Sequence, residues 1–503
     1  MSKEESRQLL ADKLKKGAVP KGFVIPGWPL DLPPFSYQQT GICWLYLTPK
    51  ALLLDSTGTG KTIHALGLLQ YLKSKGKFGP QRRALIIVPA ISVYSSWKAD
   101  GFDKFVPEMK VAVGRGTKKQ RLEIYSDPEW EVLLTNYELV RIDIKELEKL
   151  GFDIIIIDEV EFLSNHSMQT AKAVKKLTSK ASRNVGMTAT PIKNKLLDLH
   201  GLFEVIGLGT VLGTKKQFMY NHHKHKMVRV FYGGGAHWTK KLIGYKNTKA
   251  LKQKIAPYIL RRTYDDVDIP IPKLHAQVKW LTLTTEQRKL YEKVQAGFLG
   301  LDEHSNPIEV KNAALRLRQI CTTTANVGQG DSSCKFDYLE QKLTGDWANE
   351  KVILFTTWKP GIAAVEARLR KLGIGHVTIT GDVKNQKVRE ELRQRFWNDP
   401  DCRVLIGTEA IVRSLNLQCA RIQHNVDLLY NPTKHIQLAG RHRRVGSEFS
   451  KVFVFSTLAI DTIEEAMLKA CMEKSALSDH MFDDWGEVFD KLSTSELVKL
   501  IRS

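Results

Sequence analysis

The stretch Ser56-Thr57-Gly58-Thr59-Gly60-Lys61-Thr62 constrains the fold more tightly than any other part of this chain. The three residues Leu52-Leu53-Leu54 lead into it like a short buried strand, and residues 63–72 behind it carry a helical pattern. A glycine-rich turn between a buried strand and a helix aims several backbone N–H groups at one point, at the positive end of a helix dipole. Such a point suits a triphosphate, with Thr57, Gly58, Thr59 and Gly60 as its cradle. Lys61 then reaches the β- and γ-phosphates, and the Thr62 hydroxyl ligates Mg2+. One position is off-pattern: six residues before the lysine, where the nucleotide loop has a small residue, stands Asp55. Taken without its neighbours, the string also fits an ordinary glycine-rich strand–helix turn.

Length and charge narrow the setting. At 503 residues the chain holds two or three domains. Its apolar content of 43% supports globular cores. No apolar run approaches the ~20 residues that span a bilayer, and the charged start Met1-Ser2-Lys3-Glu4-Glu5 has no signal-peptide core. The expectation is a soluble, cytoplasmic protein with no membrane partner. The six cysteines are scattered without a Cys-x-x-Cys pair, which argues against a zinc ribbon and a disulfide framework. Lys plus Arg number 76 against 54 Asp plus Glu, a net charge of +22. An excess that large favours a polyanionic partner such as nucleic acid, solubility being the plainer explanation.

Along the chain, short apolar runs alternate with helical patterns. Residues 84–88, 132–134, 154–157 and 185–187 read as parallel strands buried on both faces. A second set lies at 352–355, 376–379, 404–406, 423–428 and 452–455, with helices at 362–372 and 388–397 between them. Two α/β halves of the same grammar therefore flank a middle region. The prolines at 270 and 272 break the chain between them, and residues 276–345 read as mostly helical.

The strand at 154–157 runs into Asp158-Glu159. Ligands in open α/β sheets bind beyond the carboxyl ends of the strands. There Asp158 can hold Mg2+ and Glu159 can polarise an attacking water, although an exposed acidic turn has the same composition. In the second half, Gln437, Gly440, Arg441 and Arg444 form a Gln-x-x-Gly-Arg-x-x-Arg string. If the halves face each other, the guanidinium forks of Arg441 and Arg444 reach the γ-phosphate as arginine fingers. The stretch His222-His223-Lys224-His225 with His237 offers zinc ligands. Its irregular spacing and the Gly233-Gly234-Gly235 run favour a basic loop near nucleic acid.

Taken in order, these residues resemble the superfamily-two helicases and translocases, and within them the Swi/Snf-type DNA-dependent ATPases. The resemblance runs over about residues 32–470. Tyr37, Gln38, Gly41 and Trp44 resemble the adenine-side glutamine motif. Leu85-Ile86-Ile87-Val88-Pro89 with Trp97 resembles motif Ia, and Thr135-Asn136-Tyr137-Glu138 the threonine-tyrosine-glutamate motif. Asp158-Glu159-Val160-Glu161 stands where the acidic box belongs, and the stretch from Thr188 to Asn194 resembles the coupling motif III. Leu260-Arg261-Arg262 with Asp266, Val267, Pro272 and Lys273 resembles the inter-lobe signature, and Leu317-Arg318-Gln319-Ile320-Cys321 the helical protrusion. Gly407-Thr408 with Leu415-Asn416-Leu417 resembles motif V. Asn431-Pro432, Gln437, Arg441 and Arg444 resemble motif VI, and Thr462-Ile463-Glu464-Glu465 the start of the C-terminal helix.

The resemblance implies an α/β fold of two RecA-like lobes with a helical insertion between their cores. The implied layout is a tail at 1–24, lobe one at 25–264, a linker at 265–275, a helical protrusion at 276–345, lobe two at 346–475 and a tail at 476–503. It implies ATP and Mg2+ as cofactors, with Gln38 on adenine, Lys61 and Thr62 on phosphate and Mg2+, and Gln437, Arg441 and Arg444 completing the site from lobe two. Pro89, Thr135, Asn136, Asn194, Thr356, Thr408 and Arg413 become candidates for contact with the DNA backbone. The implied protein is a monomeric, ATP-driven motor on duplex, forked or branched DNA, serving recombination, replication or repair. A duplex translocase that clears proteins such as RNA polymerase, and a binding module with a degenerate ATPase, are the alternatives.

Two departures stand against the family pattern. Glu161 replaces a histidine that couples the acidic box to motif III, and Ile411-Val412-Arg413-Ser414 replaces a glycine-rich turn in motif V. Asp55 is not a departure, because Swi/Snf-type members often carry aspartate there. Gly244-Tyr245-Lys246-Asn247 resembles a segment of the fork-remodelling, annealing-helicase branch.

Overall fold

The computed structural model describes residues 12–14, 17, 19, 20, 22–165, 167–192, 195–232, 235–264, 266, 267, 271–297, 307–383, 385–408, 411, 415–428, 437–444 and 447–469. The chain divides into two compact units: residues 1–223 with 245–269, and residues 224–244 with 270–503.

The first unit is built on seven parallel strands: β1 (Lys50–Leu53), β2 (Ala84–Val88), β3 (Val111–Val113), β4 (Val132–Asn136), β5 (Ile154–Asp158), β6 (Arg183–Met187) and, after a hairpin, β9 (Ile259–Leu260). Their order is β3-β4-β2-β5-β6-β1-β9. β2 and the first four residues of β5 are wholly apolar and buried, as strands with both faces covered must be. Ile86 of β2 lies between Leu134 of β4 and Ile156 of β5, and all three are fully buried. The register also aligns the carboxyl ends. Leu53, Met187 and Asp158 form one row across β1, β6 and β5. The turn after β1 and the acid ending β5 therefore emerge on one edge, two strands or about 10 Å apart.

The hairpin strands β7 (His223–Tyr232) and β8 (Gly235–Tyr245) form a two-stranded sheet of their own. The basic stretch that reads as a loop is thus extended ribbon. The sequence of 228–232 is rich in the β-branched and aromatic types that favour strand. His222 packs on Phe218 at 4.9 Å, and His223 on Tyr245 at 5.3 Å, so both rings are used in packing.

The second unit holds six parallel strands: β10 (Lys273–Leu281), β11 (Val352–Phe355), β12 (Gly375–Ile379), β13 (Cys402–Gly407), β14 (Ile422–Asn425) and β15 (Lys451–Ala459), ordered β10-β15-β14-β11-β13-β12. The region read as helical from residue 276 begins instead with β10, whose nine residues pair with β15. Leu274, Ala276, Val278 and Trp280 alternate with polar residues at period two, and pairing to a neighbour far along the chain lets that pattern win. Helices follow at Thr285–Gly297, Pro307–Thr322 and Cys334–Thr344. Among the described residues no helix is long and apolar enough to cross a membrane.

Candidate nucleotide site in the first unit

The turn after β1 has the backbone of a phosphate cradle. Gly58 and Gly60 sit at φ 76° and 78°, left-handed values that any side chain would strain. Gly60 caps the helix α1 (Lys61–Ser74), so the free N–H groups of its first turn point into the cradle. Lys61 folds back over the loop and donates from Nζ to the carbonyls of Asp55 at 2.8 Å and Ser56 at 3.1 Å. Burial pushes its ammonium below the usual lysine range, while Glu159, Asp55, Asp158 and Glu161 pull it partly back up. A lysine held this way is poorly solvated and surrounded by negative charge, and a phosphate oxygen replaces the carbonyls with a stronger acceptor.

Asp55, off-pattern in sequence, is fully buried and paired. Arg262, just past β9, donates to its two carboxylate oxygens from Nε at 3.2 Å and from a terminal nitrogen at 2.5 Å. The same guanidinium reaches the Tyr37 carbonyl, Thr40 Oγ1 at 3.3 Å and His64 Nε2 at 2.9 Å. His64 Nδ1 faces the Gly60 carbonyl at 3.2 Å. Burial and Arg262 together push the histidine pKa down to about 4, so the neutral ring donates from Nδ1 and accepts at Nε2. An ideal Cβ on Gly41 would lie 2.4 Å from this ring and 2.8 Å from the guanidinium, which is why that helix position carries glycine.

The loop is pinned at further points. Leu54 and Ser56 donate their N–H groups to the carbonyls of Leu260 and Arg262 at 2.7 and 3.0 Å. The Tyr264 hydroxyl lies 2.8 Å from Thr57 Oγ1 and donates to the Thr57 carbonyl at 2.6 Å. Gln38 donates to the Thr59 carbonyl at 3.2 Å and accepts from the Phe35 N–H at 3.0 Å, and Tyr37 also donates to Thr59. Gln38 is thus 4% exposed, with its amide spent on the loop backbone.

At the end of β5, Asp158 Oδ2 accepts from the Trp97 indole at 2.9 Å and Oδ1 from the Glu159 N–H at 3.1 Å. Trp97 is fully buried on a π-helix, Val93–Phe102, an uncommon geometry that often marks functional positions. Glu159 has φ 53°, a left-handed value for a non-glycine residue, and such strain clusters at active sites. Tyr137 donates to the carbonyls of both acids. Burial and the carboxylates of Glu161, Asp158 and Glu159 hold its phenol protonated, well above the ordinary range. Asp158 and Thr62 are the oxygen donors that would hold Mg2+, a cation that takes few protein ligands.

The remaining predicted residues divide. Pro89 is buried after β2, so it offers no surface to a DNA backbone, and Thr408 is half-buried after β13. Asn136 caps the helix Tyr137–Ile142 through its Oδ1 at 3.0 Å. Thr135 is fully buried, and its hydroxyl has no hydrogen-bond partner. Thr356 is fully buried too, its hydroxyl donating to Asp427 at 2.8 Å, so neither hydroxyl faces solvent. Asn194, Arg413, Asn431 and Pro432 lie outside the described residues. In the second unit, Gln437 and Arg441 are largely buried, and Arg444 Nε donates to the Gly440 carbonyl at 2.9 Å. The pairing of Arg262 with Asp55, the place of His64 beside it, the Tyr264 contact and the donor role of Trp97 escaped the sequence reading. The one signal that pointed to the first two was Asp55, a carboxylate at a buried position that demands a cation.

Comparison with known proteins places the chain. The SNF2-related domain matches residues 37–326, and the helicase conserved C-terminal domain matches residues 334–446. An uncharacterized ATP-dependent helicase of Mycoplasma pneumoniae is 29% identical over 480 residues, covering 92% of this chain and 44% of the relative. The putative ATP-dependent helicase/translocase YwqA of Bacillus subtilis is 25% identical, covering 99% of this chain and 54% of the relative. The SWI2/SNF2 ATPase core of Sulfolobus solfataricus, solved in complex with dsDNA, is 23% identical at a TM-score of 0.42, covering 95% of this chain and 99% of that one. The chain spans about half the length of these two curated relatives.

Proposed function

We propose that this chain, which belongs to the SNF2-related family, is an ATP-hydrolysing motor that moves along duplex DNA and remodels forked or branched DNA. The observation that carries the reading is the first unit's edge. It sets a left-handed glycine cradle, Lys61 and the Asp158–Glu159 pair, with Glu159 at φ 53°, along one edge of strand ends. Glu159 orients the attacking water and Lys61 draws negative charge off the phosphates. Thr62 and Asp158 would hold Mg2+, which would supply positive charge against the phosphates. The charge that builds on the transferred group falls to Arg441 and Arg444, with Gln437 beside them in the motif. The net charge of +22 supports a sequence-independent grip on phosphate backbones.

The test is ATP turnover measured with single-stranded, duplex, forked and four-way DNA, for the chain as given and for Lys61→Ala. The reading expects strong stimulation by duplex or branched DNA, abolished in Lys61→Ala. Turnover indifferent to every DNA overturns it. Strand-displacement and triplex-displacement assays side by side separate remodelling from plain translocation, since translocation without branch migration favours a protein-clearing motor.

A further inference from the structure

We propose that the β7–β8 ribbon is an arm that grips DNA, with Lys224, Lys226 and Lys240 on the phosphate backbone and Trp238 stacked on a base at a strand junction. The inference rests on the proposed function and extends it to an element outside the nucleotide site.

Three contacts set the ribbon's register. The Lys246 N–H donates to the His222 carbonyl at 2.9 Å, His223 packs across on Tyr245, and an ideal Cβ on Gly244 would lie 4.0 Å from Lys224 Cδ. Residue 222 thus faces 246, 223 faces 245 and 224 faces 244. Side chains alternate along a strand, and directly opposed residues share a face. Lys224, Lys226, Trp238 and Lys240 therefore fall on the same face, and all four are exposed, Trp238 at 66%. Residues 223–245 carry five Lys or Arg and not one Asp or Glu.

Charge and shape together select the occupant. A row of cations without a single carboxylate repels itself unless polyanion covers it. An exposed indole among those cations matches the stacking platforms of nucleic-acid grooves, where an aromatic face takes an unstacked base while lysines follow the backbone. A two-stranded ribbon also has the width that the DNA major groove admits. Ten residues at about 3.3 Å each make an arm roughly 33 Å long, enough to follow the backbone over several phosphates.

The test compares the unaltered chain with the triple variant Lys224→Ala/Lys226→Ala/Lys240→Ala and with Trp238→Ala, binding labelled forked and blunt duplex DNA across a salt series. Each phosphate contact contributes about 0.9 to the slope of log affinity against log salt, so the triple variant should lower that slope by about 3. Trp238→Ala should weaken binding to forked DNA about tenfold and to blunt duplex far less. ATP hydrolysis without DNA should be unchanged in both, showing that the motor is folded. A triple variant with an unaltered slope overturns the arm, as does a loss seen only with RNA or with an acidic protein. An unaltered chain that binds none of the DNAs overturns the proposed function itself, and the arm with it.

Discussion

Replacing Arg262 with methionine should destabilise the first unit by about 3–5 kcal/mol, the range for removing one partner of a buried ion pair. The structure explains why the cost belongs at that end. Asp55 has no exposed surface, and Arg262 is the guanidinium that meets both its oxygens. The arginine also ties in the Tyr37 carbonyl and His64. Methionine fills similar space but leaves the buried Asp55 carboxylate without its guanidinium. His64 offers partial relief, because its Nε2 lies 3.7 Å from Asp55 Oδ2. In the unaltered chain its pKa is held from 6.5 down to about 4 by burial and by Arg262. Without Arg262, Asp55 draws that pKa upward. The ring then takes a proton and re-pairs the carboxylate as pH falls below 6.5. The variant's deficit should therefore be largest well above pH 6.5 and shrink below it. In the unaltered chain the depressed histidine acts the other way. Its contribution is fully present above 6.5 and lost as pH falls toward about 4, a span worth about 3 kcal/mol at 1.36 kcal/mol per unit. Adding Asp55→Leu to Arg262→Met should recover most of the loss, since apolar replacement of a whole buried pair is often neutral. Urea unfolding followed by tryptophan fluorescence, at pH values on either side of 6.5, reads all three chains. A deficit under about 1 kcal/mol, or a double variant no better than the single, refutes the buried-pair reasoning.

Three further outcomes are expected. ATP affinity should fall as pH rises into the lysine range, and earlier than an ordinary lysine would dictate. Burial holds Lys61 low and only its protonated form serves phosphate, so calorimetry at several alkaline pH values should show the early loss. Trp97→Phe should raise the Mg2+ concentration needed for tight ADP binding by about tenfold, the scale of one lost hydrogen bond to a charged group. Its metal-free nucleotide affinity should stay unchanged, and an unaltered Mg2+ dependence would show that the indole only packs. Arg444→Ala should leave nucleotide binding intact and reduce turnover by about 10³, the scale of a lost arginine finger. Equal turnover would remove that residue from the chemistry.

Much of the fold was legible because its signals are local. Strands buried on both faces must be apolar throughout, so β2 and β11 match the predicted runs residue for residue. A glycine cradle followed by Lys-Thr declares left-handed turns before any coordinates do, and Gly58 and Gly60 adopt them. β10 was missed because a strand lying mostly exposed at a sheet edge has too weak a pattern to outweigh helical neighbours. Thr356 was misjudged as a surface contact because a threonine after a strand looks the same whether its hydroxyl meets DNA or a buried aspartate.

The amino-acid sequence by itself determined the two α/β halves, the phosphate loop, the acidic pair and the cationic excess. These follow from periodicity, turn chemistry and charge counted over short spans. Only the tertiary structure decided which partner answers each buried charge. Asp55 and Arg262 are 207 residues apart, and Trp97 lies 61 from Asp158. It also decided that Lys224, Lys226, Trp238 and Lys240 share one face, because the pairing of two strands sets it. A buried carboxylate announces that some cation must come, but which one comes depends on where the chain returns.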